Sequence, residues 1–181
     1  NGTLTAGDVF PFSDAIYWWK CPKGSDHEYD QSAKRRTLRG YGCPYCSGHR
    51  ASMTNRLDLH YPEVAEQWHP TKNRNLKPDQ FAYGNSTEVI WWKCPKGPDH
   101  EWEATIQQRT WHGSGCHCCS GDKVSVTNSL ATLSPEIAKE WHPTKNKPLT
   151  PRKVTNGSSK KLWWRCAQDR NHEWPAQVTN R

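Results

Sequence analysis

WWKCPKGPDHEWEATIQQRTWHGSGCHCCSG, running from Trp91 to Gly121, decides how the rest of the chain is read. Cys94 is followed six positions on by His100, and later by the pair Cys116 and Cys119. Between the two pairs, Trp102, Ala104 and Ile106 alternate with polar residues, as along a half-buried strand. The same pattern stands upstream from Trp18 to Gly48, with Cys21, His27, Cys43 and Cys46. It begins a third time at Trp163, with Cys166 and His172, and the sequence closes before a third Cys-x-x-Cys. Two cysteines at i and i+3 on a turn can both reach one ion, and a Cys and a His from a second turn complete a tetrahedron. Each complete copy therefore predicts one Cys3His zinc site, giving two zinc ions per chain. Cys166 and His172 form an incomplete third site that would need ligands beyond residue 181.

The composition agrees with small metal-stapled units. Of 181 residues only 33% are hydrophobic, with one Met and three Phe against 11 Trp and 8 Cys, so one large core is not expected. Disulfide frameworks do not require a histidine at fixed spacing, so the repeated Cys-His pattern favours metal over disulfides. Reduced thiolates place the chain in an intracellular, reducing compartment, with nucleus, cytoplasm or organelle undetermined. No signal peptide and no apolar run long enough to cross a bilayer is present, so membrane insertion is not expected. The formal charge is +7; a zinc held by three thiolates and a neutral His carries −1, so two such sites leave the chain modestly basic.

The repeat period is 73 residues from Cys21 to Cys94 and 72 from Cys94 to Cys166. Asn55 and Leu57 recur as Asn128 and Leu130, and Trp68 to Asn73 recurs unchanged as Trp141 to Asn146. This divides the chain into repeat 1 (1–72), repeat 2 (73–145) and a partial repeat 3 (146–181), read as beads in an array. Asn1 to Lys20 matches the middle of a repeat, so the sequence is read as an excerpt of a longer protein. Each unit is expected to open with a helical turn at Thr5-Ala6, Lys77-Pro78 and Thr150-Pro151. A strand then enters the first ligand at 16–20, 89–93 and 162–165. A second strand pairs back from the histidine and runs to the Cys-x-x-Cys turn. A helix of about two turns closes the unit, with Ser134 as N-cap and Pro135 at the first helical position.

Other residues carry weaker signals. Cys118 stands where repeat 1 has Tyr45, so Cys119 matches Cys46 as ligand and Cys118 is spare. His69 and His142, in the repeated Trp-His-Pro, read as packing and capping groups. The Trp pairs lie on strands, so neighbours face opposite sides. The second of each pair, Trp19, Trp92 and Trp164, is the candidate for stacking on a base or partner. Arg36, Arg109 and Arg181 recur at the hairpin end, and 143–165 contains seven Lys or Arg and no acid. Arg36, Arg109, Lys153, Lys160, Lys161 and Arg165 are the candidate phosphate contacts.

Together WWKCPKGxDHEW, the Arg-containing QQRT and TNR, GCPYCSG and EWHPTKN resemble the probable zinc-ribbon domain repeats, treble-clef-like zinc fingers that occur in arrays. The resemblance covers essentially the whole chain. It implies a fold class of small α+β zinc-stabilised units, each a β-hairpin plus a short helix. It also implies the ligand sets Cys21, His27, Cys43, Cys46 and Cys94, His100, Cys116, Cys119. Some members are joined to nuclease-like domains, and the family is generally presumed to bind nucleic acid.

The expected function is a tandem zinc module contacting nucleic acid through its phosphates. The alternative is a structural module docking among protein subunits of a larger assembly. A small-molecule substrate is not expected. Nor is an enzyme, because four protein ligands leave zinc no open position for water. A catalytic domain could only lie outside this sequence.

Overall fold

The chain, seen as a computed structural model, is described for residues 3–181; the match of Asn1 to Asn73 lies outside the described residues. The architecture is three antiparallel hairpins, each followed by a short helical turn. The hairpins pair β1 (Ile16–Lys20) with β2 (Glu28–Ser32), β3 (Val89–Lys93) with β4 (Glu101–Thr105), and β5 (Lys161–Arg165) with β6 (Glu173–Gln177). In the first, Trp19 pairs with Tyr29; in the third, Trp164 pairs with Trp174. Single 3-10 turns open the repeats at Ala6–Asp8, Pro78–Gln80 and Pro151–Lys153, where proline or a capping residue fixes the first turn.

The second strand does not run on to the Cys-x-x-Cys turn. It gives way to helix α1 (Ala33–Arg39) in repeat 1 and α4 (Ile106–Thr110) in repeat 2. Ser32 and Thr105 are the N-caps, accepting from the backbone N–H of Arg35 and Gln108. Thr105 and Gln108 form a reciprocal capping box, so the alternation through Ile106 ends where the cap begins. The closing helix is also divided. Repeat 1 has α2 (Leu57–His60) and α3 (Pro62–Ala65); repeat 2 has α5 (Leu130–Leu133) and α6 (Pro135–Lys139). Ser134 precedes Pro135 but its side chain makes no cap bond; Ser129 does, accepting from Thr132.

By contact density the chain forms two units, one of Asn1–Trp91 with Glu103–Ser114 and one of Trp92–Trp102 with Gly115–Arg181. The second unit has a core of Leu130, Val154, Leu162, Trp164 and Val178, with Ile137, Ala138, Trp141, Leu149, Trp174 and Ala176 packed against it. Leu130, Ile137 and Ala138 lie in the closing helices of repeat 2 with Trp141 just beyond them; Leu162, Trp164, Trp174 and Ala176 lie on the hairpin that follows, flanked in sequence by Leu149, Val154 and Val178. The hydrophobic contacts thus join one repeat's end to the next repeat's beginning. Backbone clasps mark the same joint. Leu130 N–H donates to Val154 O, and Asn146 both donates to Trp163 O and accepts from Trp163 N–H, each at 2.8 Å. In the first unit Leu57 N–H donates to Phe81 O, and Asn73 binds Trp91 in the same two ways.

Candidate metal centres

Each ligand turn follows from local backbone. In Cys21-Pro-Lys-Gly-Ser-Asp-His27, the Cys21 N–H donates to His27 O at 3.0 Å and the His27 N–H to Gly24 O at 3.2 Å. The turn folds the ring of His27 back over Gly24. A Cβ on Gly24 would lie 2.5 Å from the ring, and one on Gly97 would lie equally close to His100. Glycine is required here for room, not for its backbone angles.

The ring's Nδ1 then meets the thiols of the second turn. Nδ1 of His27 lies 3.6 Å from Cys43 Sγ and 3.5 Å from Cys46 Sγ, and Cys21 Sγ lies 3.6 Å from Cys46 Sγ. In the second centre Cys94 and Cys119 are 3.7 Å apart, and Cys119 is 3.5 Å from His100 Nδ1. All four donor atoms of each centre lie within 4.8 Å of one another. A tetrahedron built on Zn–S of about 2.3 Å and Zn–N of about 2.0 Å has edges of roughly 3.8 Å between sulfurs and 3.6 Å between sulfur and nitrogen. The spacings are therefore the edges of a zinc coordination sphere rather than thiol hydrogen bonds. The donor sets Cys21, His27, Cys43, Cys46 and Cys94, His100, Cys116, Cys119 fit two zinc ions, one per centre.

Electrostatics prepare the first centre. The Lys23 backbone N–H and then His27 pull the Cys21 thiol down to about 7. Desolvation and the neighbouring thiols push Cys46 up to about 11, and Cys119 likewise. A cation supplies what the second thiolate lacks, because it offsets the repulsion among sulfurs.

A second layer of contacts was not anticipated from the sequence. With Nδ1 facing the metal, Nε2 of His27 must carry the proton, and it faces Thr54 Oγ1 at 2.9 Å and Ser52 Oγ at 3.1 Å. His100 does the same with Thr127 at 2.7 Å and Ser125 at 3.2 Å. The Ser-x-Thr-Asn loop is itself held at both ends. Asn55 accepts from Ser52 N–H and donates to Tyr45 O and Arg50 O; Asn128 makes the equivalent three bonds. Asp26 accepts from Met53 N–H and Asp99 from Val126 N–H, tying the histidine turn to the loop. The signal was present: Ser, Thr and Asn recur at 52, 54, 55 and at 125, 127, 128.

The other candidate residues are placed as follows. Tyr45 stacks on His27 with ring centroids 5.0 Å apart. Cys118, in the equivalent place, is buried, lies outside the second tetrad, and burial pushes its thiol up. Cys166 and His172 share the backbone turn of the two centres, with Cys166 N–H on His172 O at 3.0 Å. However, Asp169 stands where Gly24 and Gly97 stand, and the His172 ring turns out to pair with its carboxylate at 3.2 Å.

Several expected contact residues are interior instead. Trp92 and Trp164 are fully buried, Trp164 within the core between repeats 2 and 3, whereas Trp91 and Trp163 lie partly exposed under Lys72 and Lys145. Only Trp19 of the three keeps exposure, and Arg36 lies over its ring at 4.3 Å. Arg109 is buried and donates to Ser114 O and Gln67 Oε1. Arg181 lies over Trp164 and Trp174 and pairs with Glu140. The recurring arginine is thus a packing group: Arg36 and Arg181 cover hairpin aromatics, and Arg109 is buried on its hydrogen bonds. Arg165 is half-buried, while Lys153, Lys160 and Lys161 are exposed. His69 and His142 accept from the backbone N–H groups two and three residues on, a capping role, and His142 also binds Glu173 at 2.8 Å.

Paired hairpin, closing helices and a four-ligand centre on two turns define a tandem array of structural zinc fingers of the treble-clef kind. The chain belongs to the family described as "Probable Treble clef zinc finger domain", whose model matches residues 1–49, 64–122 and 137–181. The second and third matches begin inside the closing helices of one repeat and continue into the next hairpin, the third across the joint that the buried core of the second unit spans. No curated protein matches the chain significantly.

Proposed function

We propose that the chain is a non-catalytic tandem zinc module that contacts nucleic acid through the phosphate backbone. One observation carries this reading. In the second unit Lys153, Thr155, Ser158, Ser159 and Lys160 line a polar recess beside the second zinc knuckle, offering two ammonium groups and three hydroxyls to one concavity. Asp122 at its edge accepts from the Ser120 hydroxyl at 2.6 Å, which tempers its charge. Lys147, Arg152 and Lys161 add exposed charge on the same acid-free run. Four protein ligands per zinc leave no position for water, which supports a non-catalytic role. All eight cysteines are free thiols, which supports a reducing compartment. Among the described residues no helix is long and apolar enough to cross a membrane.

Titration of the zinc-loaded chain with DNA and RNA at increasing salt tests the reading. About five phosphate contacts give a log–log slope near −4 to −5 on duplex DNA. Replacing Lys153, Lys160 and Lys161 with Gln lowers affinity for all sequences alike and flattens that slope by about 3. Absence of binding to either nucleic acid at low salt discards the proposal. The alternative, a scaffold docking among protein subunits, is favoured by the exposed aromatic groove of the first hairpin and predicts no effect of the Gln substitutions.

A further inference from the structure

The first hairpin presents half of a core. Positions 145 residues apart correspond between repeats 1 and 3, as Cys21 and Cys166 show. On that register Leu4, Val9, Tyr17, Trp19 and Ala33 are the counterparts of Leu149, Val154, Leu162, Trp164 and Val178. The latter five lie in or against the buried core of the second unit. The former five line an open apolar groove. Around it Leu4, Phe10, Phe12, Ile16 and Trp18 are each at least 50% exposed.

What fills the equivalent space in repeat 3 is known from the structure. Leu130, Ile137, Ala138 and Trp141 of the preceding repeat cover it, and Trp141 meets Trp164 edge to face at 5.8 Å. Leu57, Val64, Ala65 and Trp68 keep the same spacing in repeat 1, and Leu57 and Val64 are buried. The covering element is thus a closing segment with Leu, then Ile or Val seven positions on, Ala at eight and Trp at eleven.

We propose that the groove lined by Tyr17, Trp19, Val9, Ala33 and Leu4 is a docking site for a closing segment of this same repeat type. The occupant inserts its Leu, Ile or Val, Ala and Trp as Leu130, Ile137, Ala138 and Trp141 do between repeats 2 and 3. A second copy of this chain is the poorer occupant, because its own two closing segments already bind its second and third hairpins. Besides Ala33 for Val178, two substitutions change the groove's polarity and its backbone. Tyr17 replaces Leu162, and Pro11 replaces Asn156, whose N–H donates to Asn128 O at 2.9 Å. The groove therefore offers one backbone bond fewer than the filled joint. The inference deepens the scaffold reading and is independent of the phosphate recess.

The test uses the zinc-loaded chain and a synthetic peptide of residues 128–146. The peptide is expected to bind in trans, quenching Trp18 and Trp19 fluorescence, and its Trp141→Ala form to bind about 30-fold more weakly, as for a buried aromatic anchor. Tyr17→Asp in the chain reduces binding similarly while zinc content stays at two per chain. Failure of the peptide to bind, or binding unchanged by Trp141→Ala, overturns the proposal. Concentration-dependent self-association of the chain that Tyr17→Asp abolishes overturns it in favour of a second copy. Salt dependence of nucleic-acid binding is unaffected by the peptide, so the two readings fail separately.

Discussion

The turns at 94–100 and 166–172 have one backbone and two outcomes. Both close with the Cys N–H on the His carbonyl at 3.0 Å, yet His100 is 2% exposed and the side chain of His172 is 70% exposed. The hairpin beneath them is equally well buried, since Trp92 and Trp164 are both at 0%. The burial of the hairpin is therefore independent of the histidine, whose place is decided separately. Three things place His100: Gly97, the thiols of Cys116 and Cys119, and a Ser-x-Thr loop that receives the far ring nitrogen; residues 173–181 carry no counterpart of the last two. His172 has Asp169 in place of the glycine.

The sharpest way to break this comparison is Gly97→Asp, which copies the third turn into the second. Its Cβ would stand 2.5 Å from the His100 ring, so the ring must leave the centre. Elemental analysis should fall from two zinc ions per chain to one, while β5 and β6 stay protected from hydrogen exchange. Retention of both ions would show that glycine is not what seats the ring.

Next in size is the pair of thiols in the second knuckle. Cys119→Ser should also remove one zinc, whereas Cys118→Ser should leave metal content unchanged and alter stability by under about 1 kcal/mol. Native mass spectrometry of the two variants separates them, and reversed outcomes would reassign the ligand.

Acidification acts on both centres. Every ligand thiol must shed its proton to bind zinc, so affinity falls as pH falls. Cys21, held near 7, is already partly ionised at neutrality; below that it too must be deprotonated, and the dependence steepens. Zinc release followed with a colorimetric chelator between pH 8 and 5 should show the steepening, and its absence would contradict the ligand role of Cys21.

Much of the metal site was legible because thiols and imidazoles at recurring spacings have few other uses. The rest was hidden for physical reasons. Period-two alternation tells that Trp163 and Trp164 face opposite ways but not which faces in; that phase is set by Ile137, Ala138 and Trp141, more than 20 residues upstream. Arg109 reads as a surface charge, and its burial is made tolerable by hydrogen bonds to Ser114 O and to Gln67, 42 residues away in sequence. The helix after Thr105 was masked by an alternation that ran one residue too far, although the Thr105 and Gln108 pair spelled its cap. The Ser-x-Thr-Asn loop was overlooked because hydroxyls and amides seldom announce themselves without the imidazole they serve.

That loop supplies a smaller test. Thr127→Val removes the nearer acceptor of His100 Nε2 and leaves Ser125, so zinc affinity at the second centre should fall by about tenfold, measured by competition with a chelator. No change would assign the hydroxyls to loop folding alone. Smallest of all is Asp169→Gly, which restores room for His172 but no further ligands. Elemental analysis should still find two zinc ions per chain, and a third ion would show that room for the ring alone completes a site.

The side-chain amides of Asn73 and Asn146 each take up both backbone groups of a strand residue in the following hairpin, and the joints they close are alike. Identical joints make the repeat a unit of inheritance as well as of folding. Duplicating or deleting one whole period presents the same two surfaces to each other, so the array can change length in a single genetic step without a new interface having to evolve. Its length then changes in whole-repeat increments.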